Sequence, residues 1–194
     1  MQKNAASAAT WTLAAFAVQL AAAVCVDIVG RLPGMALMLL CWLMNAYAAY
    51  RLRSWLPLAA AAAGAVLALV QCSGMDTGWA GDIAVNLLFL LLYLPLQNGL
   101  DREMCAADIP NRARRLGRVW AYATLLQRGA SMLGFLPLFQ GQAALSAQQG
   151  SYTPLFTVQL ALEIIALIAA VVSYIWMVRY LWRARRLLAE EGGT

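Results

Sequence analysis

Long apolar blocks alternate with short polar or Gly/Pro-marked breaks along the whole chain. Six of them, at about 11–30, 35–50, 55–72, 82–97, 119–139 and 154–182, meet or approach the roughly 20 residues a helix needs to cross a hydrocarbon core. Transmembrane strands would show segments of alternating character. LAAAAAGAVLALV in the third block and NLLFLLLYL in the fourth do not alternate. The pattern predicts an all-α fold, a polytopic integral membrane helical bundle with about six transmembrane helices, forming one transmembrane domain over 1–194. The first block is too long for the apolar core of a cleaved signal peptide and reads as a retained helix.

Composition agrees with the pattern. Apolar residues make up 63% of the 194 residues and charged residues 12%, with a mean hydropathy of +0.68. A soluble domain carries about 25% charged residues, so most of this chain requires lipid as its solvent. The remaining polar segments are too short to fold alone. The longest of them, residues 98–118, reads as a solvated, partly helical loop.

Charge adds an orientation. If the amino terminus lies inside, 12 of the 14 basic residues fall on the cytoplasmic side. Only Arg31 then faces outward, and Arg128 lies within the fifth block. This asymmetry predicts a multi-pass protein of a bacterial-type inner (plasma) membrane with both termini cytoplasmic. Trp11, Trp55, Trp79, Trp120, Tyr152 and Trp182 fall at block ends and read as interfacial anchors. Small residues recur every four positions at Ala60, Gly64 and Ala68, and at Ala130 and Gly134, a spacing that lets helix backbones approach closely.

Candidate chemistry is narrowed mainly by what is missing. The chain has no histidine, which excludes His-ligated haem and Ser-His or Cys-His catalysis. Cys25, Cys41, Cys72 and Cys105 show no C-x-x-C spacing, so zinc and disulfide frameworks lack support. No metal or cofactor is expected. An intramembrane enzyme would have to rely on the carboxyl groups of Asp101, Asp108 or Glu163. Asn98-Gly99-Leu100-Asp101-Arg102 resembles the Asn-Asp-x-x-Asp motif of membrane prenyltransferases only in outline. It has Gly at the second position, a spacing one residue short, and no second acidic motif.

Ionisable and amide groups at membrane depth are functional candidates by default. Arg128 in the fifth block and Glu163 in the sixth fall roughly 14–17 Å from the outer ends of their blocks, so a direct pair is expected to be within reach. Asn45 and Gln19 lie at similar depth, and Gln159 sits one turn from Glu163 on the same face. Two readings stay open: interhelical glue, or a polar cavity that binds a solute or relays a proton. Arg112, Arg114, Arg115 and Arg118 in segment 98–118 suit anionic headgroups or a membrane or cytoplasmic protein partner. Nucleic acid is not expected, because no stacking platform accompanies these arginines.

In size and number of spans the chain is similar to the substrate-binding subunits of energy-coupling-factor vitamin transporters, small six-helix proteins that work with a transmembrane partner and ATPases. That likeness is one of architecture and carries no residue roles. The expected function is solute transport, or service as the membrane or substrate-binding subunit of a transporter. The alternative is a non-transporting scaffold or accessory subunit acting through partner contacts.

Overall fold

The structure, a computed structural model, describes the backbone of residues 2–75, 77–109, 111–139, 142, 145–146 and 153–191. Side chains are described for all of these except residues 2, 27, 111–113 and 191. Six long helices dominate: α1 (Gln2–Ile28), α2 (Arg31–Arg51), α3 (Trp55–Cys72), α4 (Gly78–Ala106), α5 (Asn111–Gly134) and α6 (Pro154–Glu191), with a 3-10 turn at Pro137–Phe139. Five of the six, all but α5, are long and apolar enough to cross a membrane. The exception, α5, has comparable length at 24 residues but carries five arginines, four of them in its first two turns.

Short connections make successive helices antiparallel neighbours. Trp11 in the early turns of α1 meets Tyr47 in the late turns of α2, with ring centroids 5.1 Å apart. Each helix packs on the next in chain order, and α6 closes the ring against α1. Both termini, the α2–α3 turn and the α4–α5 turn therefore share one end of the bundle, here termed the termini end.

Helix stops follow from local chemistry. At the α4 end, Asp108 takes a left-handed conformation (φ 54). The amides of Asp108 and Ile109 donate back to the carbonyls of Cys105 and Met104, at 3.1 and 3.0 Å. These two hydrogen bonds satisfy carbonyls that the helix end would otherwise orphan, and Ile109 is buried there. Arg53 (φ 53) closes α2 in the same way, with the amides of Arg53 and Ser54 donating to Tyr50 and Ala49. At the start of α6, Thr153 precedes Pro154, and its Oγ1 accepts from the amide of Phe156 at 3.1 Å.

The helices outrun the apolar blocks. Segment 98–118 is not a loop: α4 continues to Ala106, α5 begins at Asn111, and only residues 107–110 connect them. The apolar block measures membrane thickness, whereas the helix persists wherever one stripe still packs inward. Leu100 and Met104, four residues apart, supply that stripe and are fully buried. Conversely α5 stops at Gly134, short of the expected 139, because Pro137 cannot continue it.

The core is concentrated toward the termini end. Ala5, Ala8 and Ala9 of α1, together with Leu181, Ala184 and Leu188 of α6, are all buried there. At the other end α6 has no buried residue before Ala169. Its Leu167, Ile168 and Val171 point outward, as do Val24, Leu43 and Val66 elsewhere, surfaces for which lipid is the matching solvent.

Gly64 decides how closely α2 and α3 approach. A Cβ at this position would lie 2.4 Å from the Trp42 indole, whereas one at Gly129 of α5 would meet nothing within 4 Å. Gly64→Ala is therefore expected to destabilise the bundle by about 1–3 kcal/mol through overpacking. Gly129→Ala should be neutral, or stabilising by up to about 1 kcal/mol through helix propensity. Unfolding by denaturing detergent, followed by loss of helical circular dichroism, measures both; equal effects would contradict the Trp42–Gly64 contact.

Candidate functional site

Polar residues expected at one depth separate into two environments, the first inside the ring. Arg128 projects inward from α5, and its Nη1 donates to Asn86 Oδ1 of α4 at 3.1 Å. The guanidinium carbon stands 4.4 Å from the centroid of Phe89, one turn along α4 from Asn86. Its Nε is buried without a hydrogen-bond partner. Asn86 is held in turn through its Nδ2, which donates to the Asp82 carbonyl at 2.9 Å.

Phe89 begins an aromatic column that ties four helices together. It stacks on Trp42 of α2, with centroids 4.3 Å apart, and on Tyr93, at 5.6 Å. Tyr93 meets Trp120 of α5 at 5.8 Å, and Trp120 meets Tyr180 of α6 at 5.6 Å. Trp120, expected as an interfacial anchor, is 1% exposed and belongs to this column. Among the other expected anchors Trp11, Trp55, Trp79 and Trp182 are exposed, and Tyr152 lies outside the described residues.

Polar tips of the column are satisfied from neighbouring helices. The Tyr93 hydroxyl donates to Gln19 Oε1 of α1 at 3.1 Å. The Tyr180 hydroxyl donates to Asp101 Oδ1 at 2.7 Å, and Gln97 donates to the other carboxylate oxygen. Gly117 makes this junction possible, because a Cβ there would come within 2.7 Å of the Tyr180 ring. Asn45 turns back on its own helix, donating to the Cys41 carbonyl at 3.0 Å and leaving Oδ1 buried without a partner. Between α5 and α6, the hydroxyls of Thr124 and Ser173 lie 2.8 Å apart. Interhelical hydrogen bonds of this kind contribute about 0.6 kcal/mol each on average in a membrane protein.

The second environment lies on the outside of the ring, between the far ends of α5 and α6. Glu163 is exposed there, and its Oε1 accepts from Gln159 Nε2 at 3.0 Å. Gln159 Oε1 is buried and unpartnered. The two border a groove of about 440 Å³ that Gln127, Ser131, Gly134 and Ala166 also line. Small side chains create it. Of the Ala130–Gly134 pair, expected to draw helices together, Ala130 is buried, whereas a Cβ on Gly134 would meet nothing within 4 Å.

Arg128 and Glu163 do not pair: Arg128 donates to Asn86, and Glu163 accepts from Gln159. The expected match in depth fails because it assumed that α5 runs to residue 139. Taking Thr124–Ser173 as the register, Arg128 and Glu163 sit roughly 9 Å apart along the axes. They also face different sides of α5. Of the expected site residues, Glu163 and Gln159 share the groove, whereas Arg128, Asn45 and Gln19 belong to the interior.

The basic set is dispersed too. Arg114 and Arg118 lie near enough to Asp101 to act on its charge, Arg115 is exposed, and the Arg112 side chain lies outside the described residues. Among the four cysteines Cys41 is buried and Cys105 exposed, all of them free. No three His, Cys, Asp or Glu side chains among the described residues gather into a metal-binding group. The aromatic column escaped the sequence reading, although Phe89 and Tyr93 stand four residues apart in mid-block, where interfacial aromatics do not belong.

Comparison with known protein families, curated proteins and solved structures finds no match to this chain. The likeness to vitamin-transporter subunits therefore transfers no residue roles.

Interior and groove should respond differently to substitution. Asn86→Ala removes the acceptor of the Arg128 guanidinium and is expected to cost about 1–3 kcal/mol. Glu163→Gln keeps the shape of its side chain and should leave unfolding within about 0.5 kcal/mol of the parent. Detergent unfolding of both variants measures the contrast, and an equally large loss from Glu163→Gln would make the groove pair part of the structural frame.

Proposed function

We propose that this chain is a small membrane transport protein, or the membrane subunit of a transporter, whose solute site is the α5–α6 groove with Glu163 as its charged ligand. One observation carries the reading: a carboxyl group opens into a groove on the outer surface of an apolar bundle, and its partner there is an amide, not a cation. A charge in that setting is expensive and is retained where it meets a ligand or a path. The groove volume falls within the usual range for small-molecule sites, roughly 300–1,000 Å³. Its walls join one acidic group and amides to alanines and leucine. That chemistry suits an amphiphilic organic cation entering sideways from the bilayer, with its amine against Glu163 and its apolar body along Ala166 and Leu167. Arg128 and Gln19 then serve the frame, tying α5 and α1 to α4, with Asn45 buried inside it, while only the far ends of α5 and α6 adjust.

Orientation rests on charge. With the termini end carrying Arg51, Arg53, Arg102, Arg114 and Arg115, the positive-inside rule favours both termini in the cytoplasm of a bacterial-type cell.

The bare far half of α6 favours a second reading, an accessory subunit that lends this helix to a partner. Reconstituted vesicles distinguish the two. Purified protein should take up a lipophilic cation, and Glu163→Gln should reduce uptake at least tenfold while unfolding stays unchanged. Full uptake by that variant removes Glu163 from the site, and no uptake by the parent protein favours the accessory reading.

A further inference from the structure

We infer that the termini end of α6 holds an anionic phospholipid, its phosphate between Arg179 and Arg183 and its acyl chains along Trp176 and Val178. A groove of about 680 Å³ runs there between α6 and the early turns of α5, separate from the Glu163 groove. The apolar run of α6 ends at Val178, and the charges begin at Arg179, so the groove straddles the level at which α6 leaves the bilayer.

Residues 176, 179, 183, 187 and 190 follow helical spacing down one face of α6, and all of them line the groove. Its wall is apolar on the membrane side, with Trp176 and Val178, and cationic beyond, with Arg179, Arg183 and Arg186, while Leu116 of α5 lines it at the level of the arginines. Glu190 is the groove's carboxylate, and Arg186 already occupies it, Nε to Oε1 at 2.9 Å. Arg179 and Arg183 have no ion pair among the described residues. The Arg179 guanidinium rests 5.4 Å from the Trp176 ring centroid, a contact that holds it at the groove instead of free in solution. Guanidinium forks match phosphate oxygens in geometry as well as charge. An apolar strip leading to two unpaired guanidiniums is complementary to a phosphatidyl headgroup with its chains, whereas a free phosphate would leave the Trp176–Val178 wall without an occupant.

Delipidated protein in mild detergent, titrated with phosphatidylglycerol or with phosphatidylcholine of the same acyl chains and read by native mass spectrometry, tests this. The parent protein should prefer phosphatidylglycerol. With about fivefold per surface arginine, Arg179→Gln with Arg183→Gln should weaken that preference about 30-fold. Arg51→Gln with Arg53→Gln removes equal charge from the same end of the bundle, away from the groove, and should keep it. The exposed single variant Arg183→Gln, with about a fivefold loss, tests the site should the double variant not fold. Retained preference in the Arg179/Arg183 variants would overturn the assignment, and so would equal loss in the Arg51/Arg53 variant. Displacement of the lipid by millimolar inorganic phosphate would overturn the lipid as ligand.

Discussion

In hydrocarbon a polar side chain can be satisfied only by other parts of the protein, and the arrangement of this bundle follows from that constraint. Arg128 is its clearest case. With no carboxylate at hand, the guanidinium is held by one amide oxygen and by the face of Phe89. Phe89 in turn needs Trp42 against its ring, and Trp42 needs the bare backbone of Gly64. One buried cation thereby fixes the spacing of α5, α4, α2 and α3. The same logic at the termini end links Tyr180, Asp101, Gln97 and Gly117, where α6, α4 and α5 converge.

These contacts leave the molecule asymmetric along its axis. The termini end is closely packed, helped by alanines in the first turns of α1 and by a leucine stripe in the last turns of α6. The far half of α6 has no buried residue before Ala169, and small residues line the groove between it and α5. Elements with few buried contacts are the ones that move at lowest cost. A groove in that region, bearing the carboxyl of Glu163, is thus located where helix separation would disturb the aromatic column least.

The helical class was legible because apolar blocks of spanning length leave a chain few options. Helix ends were less so. A hydropathy pattern reports where lipid stops, while Leu100 and Met104 keep α4 helical beyond that level and Pro137 ends α5 before it. The Gln159–Glu163 pairing was readable because it is local, four residues on one helix. The separation of Arg128 from Glu163 was not, since it depends on the rotation and register of α5 against α6, which neither block fixes alone. Trp120 was misread for a related reason: its place near a block end suggested an anchor, but its side chain faces Tyr93 and Tyr180.

Labelling of Glu163 by a lipid-soluble carbodiimide in intact proteoliposomes tests the central claim most directly, because the reagent reaches carboxyl groups from within the bilayer. A groove that takes amphiphilic cations predicts modification at Glu163, mapped by peptide mass spectrometry, and protection by tetraphenylphosphonium in a saturable manner. Modification that is unaffected by the cation, or absence of Glu163 labelling, would contradict it.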